Sequence, residues 1–203
     1  MDFKQLSAHK LVSAEQAVRR IKSGSRVFVG TGCGEPQHLI HAMVANPSLQ
    51  DIMIYQMLSS TLARYVDDPA FFSRFCLKLF FISVSMRKAA FEGRIDYIPV
   101  YLSQIPRLFG SQRIGLDVAM IQVSPPDRYG YCSLGVSVDI TRAGMDSAQL
   151  VIAQVNPRMP RTWGDSFVHV DDIDIFVKHE ESLVEANPGD VDEEVVRRIG
   201  HNV

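Results

Sequence analysis

The residues best placed to do chemistry form a short glycine-rich run, Gly30-Thr-Gly32-Cys33-Gly34-Glu35-Pro36. Three glycines let a ligand approach the backbone closely. A helix beginning at the proline would add free amides and a partial positive charge. That combination suits a carboxylate, a phosphate or the oxyanion that develops when a carbonyl is attacked. The spacing is GxGxGxP, so the third glycine falls one residue early for the dinucleotide fingerprint GxGxxG. A plain strand-to-helix turn uses the same residues. Cys33 near a helix start has a setting that can lower a thiol pKa, yet the sequence implies no particular histidine as its base, although His38 is close. Glu35 is the one carboxylate of the loop, and spacing alone does not exclude it as a nucleophile.

Two further runs have unusual loop chemistry. Ser124-Pro125-Pro126-Asp127, followed by Gly130, is a stiff corner that can serve as structure or as the wall of a cleft. In residues 156–166, Arg158 and Arg161 can pair with a bound carboxylate or phosphate, or with acidic neighbours such as Asp165 and Asp171. His169 beside Asp171 and Asp172 reads better as a surface histidine than as a metal site, and no metal is expected.

The elements that must hold these loops alternate. Ser13 opens a helix through a capping box with Gln16, and Ala14, Ala17, Val18 and Ile21 fall on one face. A strand over 26–30 precedes the glycine loop, and a helix from Pro36 to Asn46 follows it. The pattern then predicts strands over 52–58, 77–84, 97–100, 118–123, 150–155 and 173–177. Helices are expected over 69–75, 86–92 and 105–109, with 131–139 less regular. Strands alternating with helices indicate an α/β domain with an open, mostly parallel sheet flanked by helices. All three loops leave the carboxyl ends of strands, where ligands gather in such sheets.

Bulk properties narrow the function. Hydrophobic residues make up 46% and charged residues 22% of the 203 residues, which suits one domain with a sizeable core. The net charge of −2 gives no basic excess for a nucleic-acid partner. The late acidic stretch from Asp165 to Glu194 reads as a solvated edge. No apolar run approaches the ~20 residues that span a bilayer, so no membrane partner is expected. The amino terminus has no apolar signal region. Cys33, Cys76 and Cys132 are odd in number and widely spaced, which points to a reduced, cytoplasmic setting.

Three strings together resemble one family: VFVGTGCGEPQ at 27–37, IQVSPPDRYGYCSLGVSVD at 121–139 and AQVNPRMPRTWGDSF at 153–167. They are similar to the acetyl-CoA hydrolase/transferase family, which includes acetate and 4-hydroxybutyrate CoA-transferases. The resemblance runs from about Leu11 to the end. It implies the first of two α/β domains of a CoA-transferase fold, with the active site between them. A glutamate of the second domain attacks the acyl-CoA thioester, giving a mixed anhydride and then a glutamyl-CoA thioester, from which CoA passes to an acceptor carboxylate.

On that resemblance no catalytic residue lies in this chain, and the nucleophilic glutamate is expected beyond Val203. Gly32, Cys33, Gly34, Glu35 and Pro36 are expected to face the acyl group and bind its oxygen, with Ser124, Pro125, Pro126, Asp127 and Gly130 lining the same cleft. Coenzyme A is expected as part of an acyl-CoA substrate, not as a bound cofactor. The partners are a small carboxylate, the absent carboxyl-terminal domain and a second subunit of a homodimer. Residues 1–185 read as the amino-terminal domain, and 186–203 as a linker and the start of a helix leading into a second domain. The stretch 80–87 departs from the family pattern at Val84 and Ser85, where glycine and asparagine are common. The alternatives are a non-catalytic module that binds CoA or a partner, and a sugar-phosphate isomerase on a similar fold.

Overall fold

A computed structural model describes residues 10–185 and 192–202. The expected linker at 186–190 lies outside the described residues. Seven parallel strands form the sheet: β1 (Arg26–Val29), β2 (Ile52–Gln56), β3 (Phe75–Leu79), β4 (Ile95–Tyr97), β5 (Leu116–Val123), β7 (Ala148–Val155) and β9 (Ile175–Lys178). Their order is β4-β3-β2-β1-β5-β7-β9. A small antiparallel pair, β6 (Tyr131–Ser133) and β8 (Phe167–His169), forms a separate ribbon.

Strand residues alternate between two cores, because successive side chains point to opposite faces of a sheet. Val27 and Val29 of β1 join Ile52, Ile54, Leu77 and Met120 on one face. Phe28 joins Ala119, Ile121, Ala153 and Phe176 on the other. The near-continuous apolar strands follow from burial on both sides. The first face is covered by helices α1 (Ala14–Val18) and α2 (Gln37–Ala45), through Ala17, Val18, Leu39, Ile40 and Met43. Short helices α3 (Pro69–Phe72) and α4 (Arg87–Phe91) complete it through Phe71 and Ala89. Helices α5 (Ile105–Gly110) and α6 (Thr141–Ser147) cover the second face with Ile105, Phe109 and Met145.

The Ser13 capping box operates as read. Ser13 accepts from the Gln16 amide, and Gln16 reciprocates to the Ser13 amide. Helix α1 ends at Val18 with Arg19 as its C-cap, so Gly24, at φ +81 in a later turn, does not end it. Asn46 caps α2. Pro36 stands just before α2 rather than in its first turn.

Several boundaries differ. The strand expected over 77–84 is Phe75–Leu79, because parallel pairing with β2 sets Ile52 opposite Phe75 and Gln56 opposite Leu79. The helix from Pro69 therefore ends at Phe72. The strand expected over 97–100 is Ile95–Tyr97, fixed by the pairing of Leu77 with Ile95. Helix α6 has no apolar period to announce it. It is set by tertiary contact: a Cβ on Gly144 would stand 2.5 Å from the Phe28 ring, so only glycine lets this helix lie so close to β1. A last helix, α7 (Glu193–His201), is capped by Asp192 and leaves Val195, Val196 and Ile199 exposed.

Candidate active site

The chain leaves β1 to build β2, β3 and β4 on one side, then returns to place β5 on the other. The order reverses between β1 and β5, the crevice where open α/β sheets bind ligands. The glycine loop leaves β1 at this point, the Ser124–Gly130 loop leaves β5, and the 156–166 loop leaves the adjoining β7. Sequence-distant candidates are thus brought to three neighbouring strand ends.

The glycine loop is held from several sides. Residues Gly32–Gly34 make one 3₁₀ turn, with Gly32 at φ +58. The Gly32 amide donates to Leu58 O at 3.0 Å. Thr31 Oγ1 donates to Asp139 at 2.6 Å, and Ser137 Oγ donates to Thr31 O at 3.0 Å. A Cβ on Gly34 would lie 2.3 Å from Ser137 Cβ, so that contact requires glycine. Among the described residues the Cys33 amide has no hydrogen-bond partner, and Cys33 itself is half-buried. The Thr31 amide is likewise without a partner but belongs to a buried residue, so the half-buried Cys33 is the more accessible of the two.

Glu35 does not face outward. It is completely buried. Its Oε1 accepts from the Ser60 amide at 2.6 Å and from Gln56 Nε2 at 3.3 Å, and its Oε2 accepts from the Thr61 amide at 2.7 Å. Burial pushes its carboxyl above the ordinary glutamate range, while the bonds from Thr61 and Ser60 pull it down.

Beneath the loop lies a polar layer that sequence reasoning missed. Gln56, Gln122, Gln154 and Asn156 are buried at the carboxyl ends of β2, β5 and β7. Gln56 Nε2 donates to Gly30 O at 2.9 Å, and Gln122 Nε2 donates to Glu35 O at 2.9 Å. Gln154 and Asn156 donate to Gln122 Oε1 at 3.2 and 2.8 Å. Gln154 also donates to Glu181, and its Oε1 accepts from the Leu39 amide at 3.3 Å. The signal was present: each glutamine occupies an inward position late in an apolar strand, where a valine or isoleucine is the ordinary choice.

The second loop is a tied corner. Asp127 accepts from the Tyr129 and Tyr131 amides at 2.9 and 3.0 Å and from Arg161 at 3.1 Å. Partial burial raises its carboxyl, but those amides and Arg161 outweigh it and hold it below the ordinary aspartate range. Ser124 is buried, and its Oγ accepts from the Ser133 amide at 2.9 Å. Pro125 and Pro126 are half-buried between them. Gly130, at φ +87, lies against His169.

Arg161 is occupied by Asp127 and by the carbonyls of Pro125 and Tyr131. Arg158 is occupied by Glu180 and Ser182. His169 Nδ1 accepts from the Asp171 amide at 3.3 Å and lies beside that residue's carboxylate. Cys132 is buried in β6, and its thiol is pushed up to about 12 by that burial. Tyr129, Tyr131, Trp163 and Phe167 line a cavity of about 510 Å³ next to this corner.

Comparison with known proteins gives this arrangement a class. Residues 2–188 match the model of the acetyl-CoA hydrolase/transferase N-terminal domain. The chain belongs to that family. It is 41% identical to the 4-hydroxybutyrate coenzyme A transferase of Clostridium kluyveri, over all of this chain and 47% of that protein. It is 34% identical to the succinyl-CoA:acetate/propanoyl-CoA:succinate CoA transferase of Fasciola hepatica, over 90% of this chain and 39% of that protein. Among solved structures, RipA from Yersinia pestis superposes with a TM-score of 0.85 at 28% identity, covering 94% of this chain and 47% of RipA. A 4-hydroxybutyrate CoA-transferase from Porphyromonas gingivalis gives a TM-score of 0.70 at 26% identity, covering 93% and 44%. The chain spans about half the length of the curated relatives it matches. Among the described residues, no helix is long and apolar enough to cross a membrane.

Proposed function

We propose that this chain is the acyl-binding half of an enzyme that moves CoA between an acyl-CoA and a small carboxylic acid. The attacking glutamate is supplied by polypeptide outside these residues. The observation that carries this reading is the division of labour within the glycine loop. The amide of its half-buried Cys33 is without a partner and can serve an oxygen. Its one carboxylate, Glu35, is buried and engaged by backbone amides. The loop can therefore stabilise negative charge, while its one carboxylate is not presented to a substrate.

In this reading the thioester carbonyl points at Gly32–Gly34. When an external carboxylate attacks, electrons move onto the carbonyl oxygen, and a fixed N–H meets that charge without reorganisation. Collapse expels the CoA thiolate and leaves a mixed anhydride. The thiolate then attacks the glutamyl carbonyl and releases the donor acid as its carboxylate. An acceptor carboxylate repeats the sequence in reverse, regenerating the glutamate. Removal of one such donor costs about 10²–10³ in rate in other acyl-transfer enzymes.

The Ser124–Gly130 corner lines the same cleft from β5. A homodimer and a cytoplasmic setting belong to the same reading, the latter supported by three free cysteines. The test is turnover. The 203-residue chain alone should move no CoA from acetyl-CoA to butyrate or 4-hydroxybutyrate. The chain extended by its downstream reading frame should. Transfer by the short chain alone would contradict the reading, and calorimetric CoA binding without turnover by the extended protein would favour a non-catalytic module.

A further inference from the structure

Glu35 is costly as a structural residue. Desolvating a carboxylate costs several kcal/mol, and the partners that receive it here are neutral: two backbone amides and the Gln56 side chain. A fold needing only a filled space at this point would be served by an uncharged side chain. What the carboxylate does, geometrically, is join two loops. Ser60 and Thr61 belong to the turn that leaves β2, and Glu35 belongs to the loop that leaves β1. The turn returns a bond, since Leu58 O accepts from the Gly32 amide. Gln56 ties both sides, donating to Gly30 O and to Glu35. Ser60 itself is exposed, so Glu35 grips a surface segment of backbone from below.

We propose that Glu35 is a positioning residue: it holds the 58–61 turn beside the glycine loop, so that the two form one preset wall for the acyl end of the substrate. The inference rests on the functional reading given above and deepens it. Glu35 touches no reacting atom. It acts through the Ser60 and Thr61 amides, and the contour of that turn selects which acyl group fits. Glutamine cannot replace it, because two amide donors point at two different oxygens and a glutamine offers one oxygen and an NH₂. Aspartate keeps the charge but is one methylene short of both donors.

Two measurements test this. Hydrogen exchange on the folded 203-residue chain should find the Ser60 amide protected despite the exposure of its residue. Glu35→Gln should speed exchange at Ser60 and Thr61 by about tenfold or more, with Glu35→Asp between. A Ser60 amide exchanging in the wild-type chain like an unstructured one would overturn the proposal, even should the variants fail to fold. In the extended, active protein, Glu35→Gln should lower kcat/KM for the acyl donor by about 10–100-fold, as expected of a small misplacement. The Kd for free CoA should stay within about twofold, because the turn meets only the acyl end. A wild type that transfers CoA beside an equally active, folded Glu35→Gln would overturn the positioning role alone. An inactive extended wild type would instead remove the functional reading, and the site with it.

Discussion

Glu35 shows how one side chain can be decided by its hydrogen bonds and not by its type. It is the only carboxylate of the loop, and type alone would admit it as a nucleophile. Two amide bonds of 2.6 and 2.7 Å turn it inward. Its raised pKa has a consequence for stability. The folded state binds the proton more tightly than the unfolded chain. The stability this group contributes is therefore complete below the ordinary glutamate pKa and is lost as pH rises through the higher folded value. Denaturant unfolding across that window should show stability falling with pH, and Glu35→Gln should flatten the slope. The same variant should cost about 1–3 kcal/mol at acidic pH, because its NH₂ opposes a backbone N–H. A variant as stable as wild type at every pH would contradict the assigned bonds. None of this could be read from sequence, since the donors are backbone amides 25 and 26 residues away.

At the scale of elements, two glycines of the same loop should behave differently. Gly34→Ala would place a Cβ 2.3 Å from Ser137 Cβ, whose hydroxyl holds Thr31 O. It should cost about 1–3 kcal/mol by overpacking and should displace the loop. Gly32→Ala meets no atom within 4 Å and carries only the penalty of φ +58, about 1 kcal/mol. Thermal unfolding of the pair separates a steric need from a conformational one; equal losses would refute the distinction. Ser13→Ala should cost about 1 kcal/mol through loss of the capping box.

Elements with strong local signals were legible: the Ser13 cap and the apolar strands β1, β2, β5 and β7. Boundaries set by pairing register were not, as in β3, where apolar residues run on into the loop at Phe80 and Phe81. Helix α6 was not legible because its short sequence carries no apolar period, and its close packing on β1 through Gly144 and Phe28 depends on residues remote in sequence. The three candidate loops were legible because glycine and proline mark turns. The glutamine layer beneath them was not, although an inward glutamine at the end of an apolar strand is a signal that could be sought.

For the whole molecule, the sheet order explains why the loops converge, and the exposed apolar side chains indicate unfinished surface. Trp163 is 93% exposed, and Phe81, Val84, Val136 and Val138 are also exposed around the loop-bearing end. If these side chains form one apolar patch, it is the kind of surface another polypeptide covers. The isolated chain should self-associate with rising concentration in sedimentation experiments, and a clean monomer at high concentration would argue against a covered face. The sequence contains a single tryptophan. Its emission should therefore shift to shorter wavelength when a second half is added, reporting burial of Trp163 directly.

The central claim is that the attacking carboxylate is not among these residues. The direct measurement is to incubate the extended protein with an acyl-CoA, reduce the enzyme thioester with borohydride during turnover, and map the modified peptide by mass spectrometry. The account predicts a single reduced glutamate outside residues 1–203. Modification of Glu35, or of any other carboxylate within this chain, would contradict it.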